Sequence, residues 1–277
     1  MYWILLILIG LLLLIGGKKT YESMDIMGRR YLNRSDIWTN VLRGHGRSMA
    51  CSIFPQTYVL PHDLDQFNGE YSRKKEYIYK TLASGERKGV FLYEDGDDLS
   101  DSAVIQEYIQ NPLLINGFKF DIRCFLVVDC ARGAYLYRPF YAVYTEKPFD
   151  YHSKDRKKKI NQVGQTDEHY RDNGLPNTDD ALRAEGINVD KTMQELAEKL
   201  SIIMEATPQL CGKNDSARRQ VYGIDAEMLA DGSVKVIEIN SRPQLTFESL
   251  WKSHITDPVK KYRDKGVMNP GMWIKIM

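Results

Sequence analysis

The chain has 277 residues, with 38 lysines and arginines against 37 aspartates and glutamates. This balance argues against a general nucleic-acid-binding protein, because such proteins usually carry a strong excess of basic residues. Hydrophobic residues make up 43% of the chain, which is enough to bury the core of one large domain or of two small, closely joined ones. The cysteines show no Cys-x-x-Cys spacing, which argues against structural zinc and suits a reducing compartment.

The N-terminal segment, residues 1–17, has no charged side chain and is followed directly by Lys18 and Lys19. As a helix it would span about 25 Å, slightly less than a typical hydrocarbon core of ~30 Å. Because the lysines lie only on its C-terminal side, the positive-inside rule predicts an uncleaved anchor in a single-pass membrane protein whose body is cytoplasmic. The alternatives are a signal peptide and a hydrophobic tail packed against the fold.

Residues 18–50 are polar and rich in glycine and arginine, and residues 43–47 (Arg-Gly-His-Gly-Arg) are expected to form a loop. Short β-rich segments then predict strands at 57–60, 76–82, 88–95 and 102–109. Two longer β-rich segments, 118–129 and 134–144, come before a polar region rich in turns.

One helix is clear in the C-terminal half of the chain. Apolar residues at helical spacing predict a helix that ends before Pro208; the residues are Met193, Leu196, Leu200 and Ile203. Several strands and at least one long helix, without regular alternation between them, predict an α+β fold.

The segment 118–129 alternates between apolar and charged side chains. Its charged face carries Lys119, Asp121 and Arg123. If the following hairpin pairs Asp129 with Ala134, Arg138 joins this face opposite Phe125. Such a face suits a polyanion, because arginine binds phosphate and carboxylate oxygens with two parallel hydrogen bonds. A solvent-exposed strand face explains the alternation equally well.

The segment 221–243 predicts a hairpin, because Asp231-Gly232 is a strong signal for a two-residue turn between strands. Counting back from that turn places Asp225 directly opposite Glu238. Like charges in this position are destabilising. Either the register differs from this prediction, or a positive charge lies beside the two carboxylates.

A metal ion is one way to supply that charge. Asn240 shares a face with Glu238, and together with Asp225 they offer the oxygen ligands that Mg²⁺ prefers. The alternative is an exposed hairpin with solvated acids, which is also the simplest reading of Glu227.

Lys80 stands at the end of a predicted strand, before a loop that contains Lys88 and Gly89. A flexible loop with backbone N–H groups and a lysine can cover phosphates. The segment is not a Walker A motif, and protein-kinase signatures are absent from the sequence. Combined with the charged strand face and an oxygen-only metal site, it predicts a nucleotide held between two sheets.

The order of these parts resembles the tubulin–tyrosine ligase-like family, whose members use the ATP-grasp fold. The matching stretches are FPQTYVLP, YIYK, IQEYIQNPLLINGFKFDIRCFLVV, YLYRPF and GIDAEMLADGSVKVIEINSRP. The resemblance covers most of residues 50–245. It implies an α+β ATP-grasp catalytic domain at 51–265, in which two antiparallel-rich sheets hold the nucleotide. The transmembrane helix and a polar linker at 18–50 would precede this domain, and a tail at 266–277 would follow it.

The resemblance also implies roles for residues at matching positions. Lys80 would hold the α- and β-phosphates of ATP under the loop with Lys88 and Gly89. The adenine would lie against a hinge formed by Gln106, Glu107, Tyr108 and Ile109. The Mg²⁺ ligands would be Asp225, Glu238 and Asn240.

Four residues would act at the reacting groups: Lys119, Asp121, Arg123 and Arg138. By resemblance, Lys119 and Asp121 would line the nucleotide and amino-acid site. Arg123 and Arg138 would orient the γ-phosphate, the acceptor carboxylate, or both. Asn161 would contact the incoming amino acid.

The implied activity is an ATP-dependent amide ligation. ATP phosphorylates an acceptor carboxylate, and the amine of a free amino acid attacks the acyl phosphate. This chemistry depends on positioning and charge neutralisation. We therefore expect a monomeric, membrane-anchored ligase that uses ATP and Mg²⁺ to add an amino acid, glutamate first, to a protein acceptor. The acceptor would have an acidic tail, as in tubulin, and no nucleic-acid partner is expected.

The chain departs from the family pattern at two places. Thr81 follows Lys80, where the family usually has proline, and KKIN at 158–161 retains only Asn161 of a His-Leu-Thr-Asn stretch. The basic run at 154–159 either attracts an acidic tail or is a solvated loop. The alternative functions are a catalytically silent, ATP-binding membrane adaptor and a ligase or kinase of the same fold that acts on a substrate other than tubulin.

Overall fold

The computed structural model describes residues 34–81, 89–99, 103–161, 167–211, 219–241, 243, 245 and 252–277. They form an α+β structure with antiparallel sheets, so the predicted class is confirmed. The α-helices are α1 (Arg34–Ile53), α2 (Leu64–Glu70), α3 (Asp167–Asp172), α4 (Asp179–Ala184), α5 (Val189–Ala206) and α6 (Asp257–Lys265). Shorter turns are the 3₁₀ segments Arg156–Lys158 and Pro208–Leu210 and the π-helical segment Lys252–Thr256.

The smaller sheet has four antiparallel strands in the order β1-β4-β2-β3. They are β1 (Thr57–Leu60), β2 (Tyr77–Thr81), β3 (Val90–Leu92) and β4 (Ala103–Glu107), all at predicted positions. Alternate side chains of these strands pack with α2 in an aromatic-rich core around Phe67. The intervening side chains, including Lys80, Thr57 and Gln106, therefore lie on the other face of this sheet.

The larger sheet has seven strands, with the path β10-β9-β6-β7-β11 and with β5 and β8 also paired to β6. Its strands are β5 (Leu114–Ile115), β6 (Phe118–Asp129), β7 (Gly133–Tyr137), β8 (Tyr141–Tyr144), β9 (Arg219–Met228), β10 (Val234–Asn240) and β11 (Trp273–Lys275). β11 pairs with β7, so the segment expected to be a C-terminal tail contributes a strand to this sheet.

Two apolar cores cover different parts of the larger sheet. Phe120, Ile122 and Cys124 of β6 face the main core, where α1 and α5 pack against the sheet. Phe125 and Val127 face a second core on the other side, formed with α6. α5 has the predicted position, and the four apolar residues of its predicted stripe are buried.

α1 corrects the expectation of a loop at residues 43–47. The structure has a helix there, with a kink at Gly46, whose φ of 79° lies in the left-handed region. Ile37, Trp38 and Val41 bury one side of this helix in the main core. Burial of that apolar side outweighs the poor helix propensity of the glycines. The helix thus belongs to the packed body of the protein.

The predicted membrane localisation is contradicted. From Arg34 onward, none of the helices in the described segments is long and apolar enough to cross a lipid bilayer. α1, at 20 residues, is interrupted by charged side chains. The segment predicted to be the anchor, residues 1–17, lies outside the described residues. We withdraw the single-pass topology with a cytoplasmic catalytic domain.

The second long β-rich segment, expected to be continuous over 134–144, is divided into β7 and β8. β7 pairs Val128 with Ala134, one residue away from the predicted register, and β8 pairs Arg123 with Tyr141. Between the pairs Leu126–Leu136 and Arg123–Tyr141, β6 has two residues and the opposite segment has four. Extra residues are therefore inserted at 138–140, and the strand bends there.

The β9–β10 hairpin confirms the predicted pairing of Asp225 with Glu238, although its turn differs. Leu229 and Ser233 close a turn that has three residues instead of two. A β-bulge at Ile237 then adds one residue to β10 and restores the register that a two-residue turn would have produced.

Candidate functional site

Charged and polar side chains on one face of each sheet lie near one another, and we call this region the polar cleft. The larger sheet contributes Lys119, Asp121, Arg123, Asp225, Glu227, Glu238 and Asn240, and the smaller sheet contributes Lys80, Thr57 and Gln106. Lys80 and Glu238 line the same cavity of about 30 Å³, so the two sheets meet there. Trp38 of α1 also contributes to its wall.

The charged face of β6 is buried. Only 3% of Lys119 and 8% of Arg123 are exposed, which excludes a solvated strand face. Farther along β6, Phe125 and Val127 continue the same face into the second core. Because burying a charge is costly unless it is paired, each of these cations requires a partner.

Arg123 supplies the positive charge beside the Asp225–Glu238 pair. Its Nε and Nη2 both donate to Asp225, and the Nη2–Oδ2 distance is 2.6 Å. Burial alone would lower the pKa of Arg123, but the Asp225 carboxylate outweighs it and raises that pKa. The register was therefore correct, and a guanidinium group relieves the repulsion in this structure.

Gly223 allows Arg123 to lie across β9. A Cβ atom at this position would be 2.9 Å from the Pro243 Cβ and 3.6 Å from the Arg123 Cδ. Gly223 is also the Cα partner of Asn240. The glycine is thus required by close approach of neighbouring atoms.

Lys119 binds two carboxylates, and one of them was not expected. Its Nζ is 3.1 Å from Asp121 Oδ1 and 2.8 Å from Glu227 Oε2. Burial would lower the pKa of Lys119, but the two acids together raise it. Burial raises the pKa of Glu227 to about 7, against the opposing effects of Lys119 and Lys80.

Glu227 is the residue that sequence reasoning missed. It is 3% exposed, so the alternative of a solvated acid at this position is wrong. Its spacing contained a usable signal, because Glu227 shares a face with Asp225 and is the cross-strand partner of Asp121.

Lys80 is held from within the smaller sheet. Its Nζ donates to Gln106 Oε1 at 2.8 Å, and Gln106 Nε2 donates to Thr57 Oγ1 at 3.0 Å. Lys80 is only 6% exposed. Its ammonium group is therefore oriented at the wall of the cleft, close enough to Glu227 to lower the pKa of that acid.

The predicted hinge connects the smaller sheet to β5 and β6. Glu107 Oε2 is 2.8 Å from Lys75 Nζ, and the backbone N–H of Tyr108 donates to the backbone carbonyl of Glu76. The Tyr108 ring is buried, with Lys119 Nζ 6.0 Å from its centroid, and Ile109 is half-buried. The hinge thus presents an aromatic ring beside Lys119, Asp121 and Glu227, which we call the Lys119 cluster.

Arg138 lies away from the polar cleft. Its Nη1 is 3.8 Å from Asp190 in the first turn of α5, and its side chain is 39% exposed. Tyr137 faces the second core, so Arg138 follows on the opposite side of the sheet from Arg123. The register of β7, one residue away from the predicted one, is the physical reason: Tyr137 takes the face of Phe125, and Arg138 falls on the other face.

A model of the tubulin-tyrosine ligase family matches residues 22–262. The chain belongs to this family. Mouse (Mus musculus) tubulin polyglutamylase TTLL5 is 28% identical over 264 residues, which are 82% of this chain and 20% of the relative. The probable beta-tubulin polyglutamylase of Tetrahymena thermophila is 39% identical over 82 residues, which are 27% of this chain and 7% of the relative.

The polyglycylase TTLL10 of Macaca fascicularis is 30% identical over 129 residues, which are 37% of this chain and 19% of that protein. The chain therefore spans about a fifth or less of the length of these curated relatives.

The structure also describes Gly89 and Asn161, to which the tubulin–tyrosine ligase resemblance assigned roles. Gly89 is buried next to β3, and its carbonyl accepts from the Thr81 N–H. Asn161 is 4% exposed and lies two residues after Lys159, whose carbonyl accepts from the Tyr108 hydroxyl. Lys88 lies outside the described residues.

The basic run at 154–159 is tied down by carboxylates. Lys154, Lys157 and Lys158 pair with Glu94, Glu146 and Asp150, respectively. Lys159 is fully buried, pairs with Glu76, and lies within 5.5 Å of the ring centroids of Tyr108 and Tyr151. Lys154 and Lys157 remain exposed despite these pairs, as in a solvated loop, whereas Lys159 is a buried part of the structure.

The proposed magnesium ligands are compatible with the ion by their chemistry. In the part of the chain that the structure describes, no group of three or more His, Cys, Asp or Glu side chains is placed to hold a metal. Asp225, Glu238 and Asn240 instead combine two carboxylates with an amide. A carboxylate has about four acceptor positions, so Asp225 retains acceptor capacity beside its two bonds to Arg123.

Proposed function

We propose that this chain is an ATP-dependent ligase with an ATP-grasp fold, which joins a free amino acid to a carboxylate of a protein. One observation carries the proposal. Lys80 of the smaller sheet and Glu238 of the larger sheet line one cavity, and Glu238 is the cross-strand partner of Asp225, which binds Arg123. Lys80 is also close enough to Glu227, the partner of Lys119, to lower the pKa of that acid. The match to the tubulin-tyrosine ligase family supports carbon–nitrogen bond formation as the reaction class.

The cleft residues have separate tasks in this proposal. Lys80, held by Gln106, binds the α- and β-phosphates from the smaller sheet. The hinge around Tyr108 receives the adenine. Mg²⁺, held by Asp225, Glu238 and Asn240, neutralises phosphate charge when it is bound.

The reaction proceeds through an acyl phosphate. The acceptor carboxylate attacks the γ-phosphate, ADP leaves, and the amine of the free amino acid then displaces phosphate from the acyl group. Arg123 orients the reacting anions from its position on Asp225. Arg138 lies on the opposite side of the sheet from Arg123 and does not share that task in this conformation. Any role for Arg138 therefore involves the surface near α5.

Glutamate and tubulin are the favoured substrates. The mouse and Tetrahymena relatives are named as tubulin polyglutamylases, which supports glutamate as the amino acid and tubulin as the acceptor. The macaque relative is named as a polyglycylase, so glycine is the next amino acid to test. Because the lysines of the basic run already have acidic partners, we do not assign them to the acceptor tail.

A second candidate is a protein that binds ATP without transferring an amino acid. Two observations favour it: Arg123 is already bound to Asp225, and Arg138 is outside the cleft. Under this candidate the cleft binds nucleotide as a structural ligand.

The test is amino-acid incorporation by the full-length chain. It is incubated with Mg-ATP, tubulin and labelled glutamate, glycine or tyrosine in parallel, and label in tubulin is counted. We expect incorporation of glutamate, its loss in Glu238→Gln, and its retention in Glu205→Gln, a matched change at an exposed position of α5. ATP binding without incorporation of any of the three amino acids would contradict the ligase proposal and favour the second candidate.

A further inference from the structure

Glu227 has one carboxylate oxygen that the described residues do not use. Oε2 accepts from Lys119, whereas no described residue donates a hydrogen bond to Oε1. The residue is 3% exposed, so bulk water does not solvate that oxygen freely. A buried acceptor without a donor is costly, which makes its position in a binding cleft informative.

The oxygen requires a ligand group that donates a hydrogen bond. Ionised phosphates offer only acceptors, and their charge is repelled by Glu227 and by neighbouring Asp121. A nucleoside offers donors, namely its ribose hydroxyls and the amino group of its base. Of the two parts of a nucleotide, the nucleoside is therefore the one whose chemistry matches the unused oxygen.

The neighbours of Glu227 agree with this match. Asp225, on the phosphate and metal side of the proposed site, precedes Glu227 by two residues on one strand face, which separates them by about 7 Å. On the other side, the Tyr108 ring lies over Lys119 and offers a surface on which a base can pack. Glu227 thus lies between the phosphate end and the hinge end of the cleft.

We propose that Glu227 Oε1 accepts a hydrogen bond from the nucleoside, either from a ribose hydroxyl or from the amino group of the base, and so determines nucleotide specificity. The inference rests on the nucleotide site of the proposed function. It does not require that an amino acid is transferred.

The experiment measures nucleotide binding by isothermal titration calorimetry with the full-length chain and Mg²⁺. The ligands are ATP, 2′-deoxy-ATP, 3′-deoxy-ATP and inosine triphosphate, which lacks the amino group. The variants are Glu227→Leu and Glu227→Gln, and the second keeps the side-chain volume and an oxygen for Lys119. Glu205→Gln is the matched control.

We expect the unaltered protein to bind one of the analogues about tenfold or more weakly than ATP, because a hydrogen bond to a charged group is lost. That analogue identifies the donor. Both Glu227 variants should bind ATP more weakly and lose the discrimination between ATP and that analogue, while Glu205→Gln retains it.

Two results would overturn the inference: equal binding of all four nucleotides by the unaltered protein, or a preference that persists in both Glu227 variants. The second result would assign Oε1 to another donor, such as the ammonium group of the amino acid. Discrimination without amino-acid incorporation would contradict only the ligase, and incorporation without discrimination would contradict only the role of Glu227.

Discussion

Buried charges set the character of the polar cleft at the scale of single residues. The side chains of Arg123 and Asp225 are 10% and 16% exposed, respectively, and two hydrogen bonds join them. A buried ion pair contributes little compared with apolar residues of the same shape, but the loss of one partner leaves an unpaired charge. The pair therefore links the integrity of the sheet to the geometry of the cleft.

Removal of one member of this pair should destabilise the protein strongly. We expect Arg123→Met to lower the free energy of unfolding by about 3–5 kcal/mol, because Asp225 is left buried without its partner. Urea denaturation measures this change. The double variant Arg123→Met with Asp225→Leu should recover much of the loss, and additive losses in the double variant would show that the two residues do not act as a pair.

The sequence predicted the strand face of each cleft residue more reliably than it predicted the residue's binding partners. Alternation along β6 placed Lys119, Asp121 and Arg123 together, because side chains of a strand alternate regardless of tertiary context. The pairing of Arg123 with Asp225 depends on the order of strands in the sheet, in which β9 lies next to β6. Nothing local in either segment encodes that neighbour.

Bulges decide which residues meet at the scale of elements. The prediction that Asp225 opposes Glu238 succeeded because a longer turn and the bulge at Ile237 cancel each other. The corresponding prediction for Arg138 failed, because β7 pairs with β6 one residue away from the predicted register and nothing between the turn and Arg138 compensates for the difference. Turn length and bulge position depend on packing against the rest of the sheet, so counting from a turn signal cannot locate them reliably.

The basic run allows a matched test of its structural role. We expect Lys159→Met to lower the free energy of unfolding by about 3 kcal/mol, because Lys159 is fully buried against Glu76. Lys154→Met removes the same charge at an exposed position and should cost less than about 1 kcal/mol. Chemical denaturation of both variants measures the difference, and equal effects would contradict a structural role specific to Lys159.

At the scale of the whole molecule, one body contains both sheets and the helices that cover them. α1 packs against the larger sheet and its side chains also line the cavity near Lys80, so a segment expected to be a linker helps to build the cleft. Its apolar residues are separated by polar residues and glycines, which favoured a loop when the segment was considered alone. Tertiary burial overrides that local preference.

Mg-ATP binding in the polar cleft is the central claim. The most direct measurement is the thermal unfolding midpoint of the full-length chain with and without Mg-ATP, in parallel with Lys80→Met. At an ATP concentration about 100 times Kd, binding should stabilise the folded protein by about 2.7 kcal/mol and raise the midpoint by a few degrees. The increase should be much smaller in Lys80→Met, which loses the lysine held by Gln106. No increase in the unaltered protein, or an equal increase in Lys80→Met, would contradict the assignment of this cleft to the nucleotide.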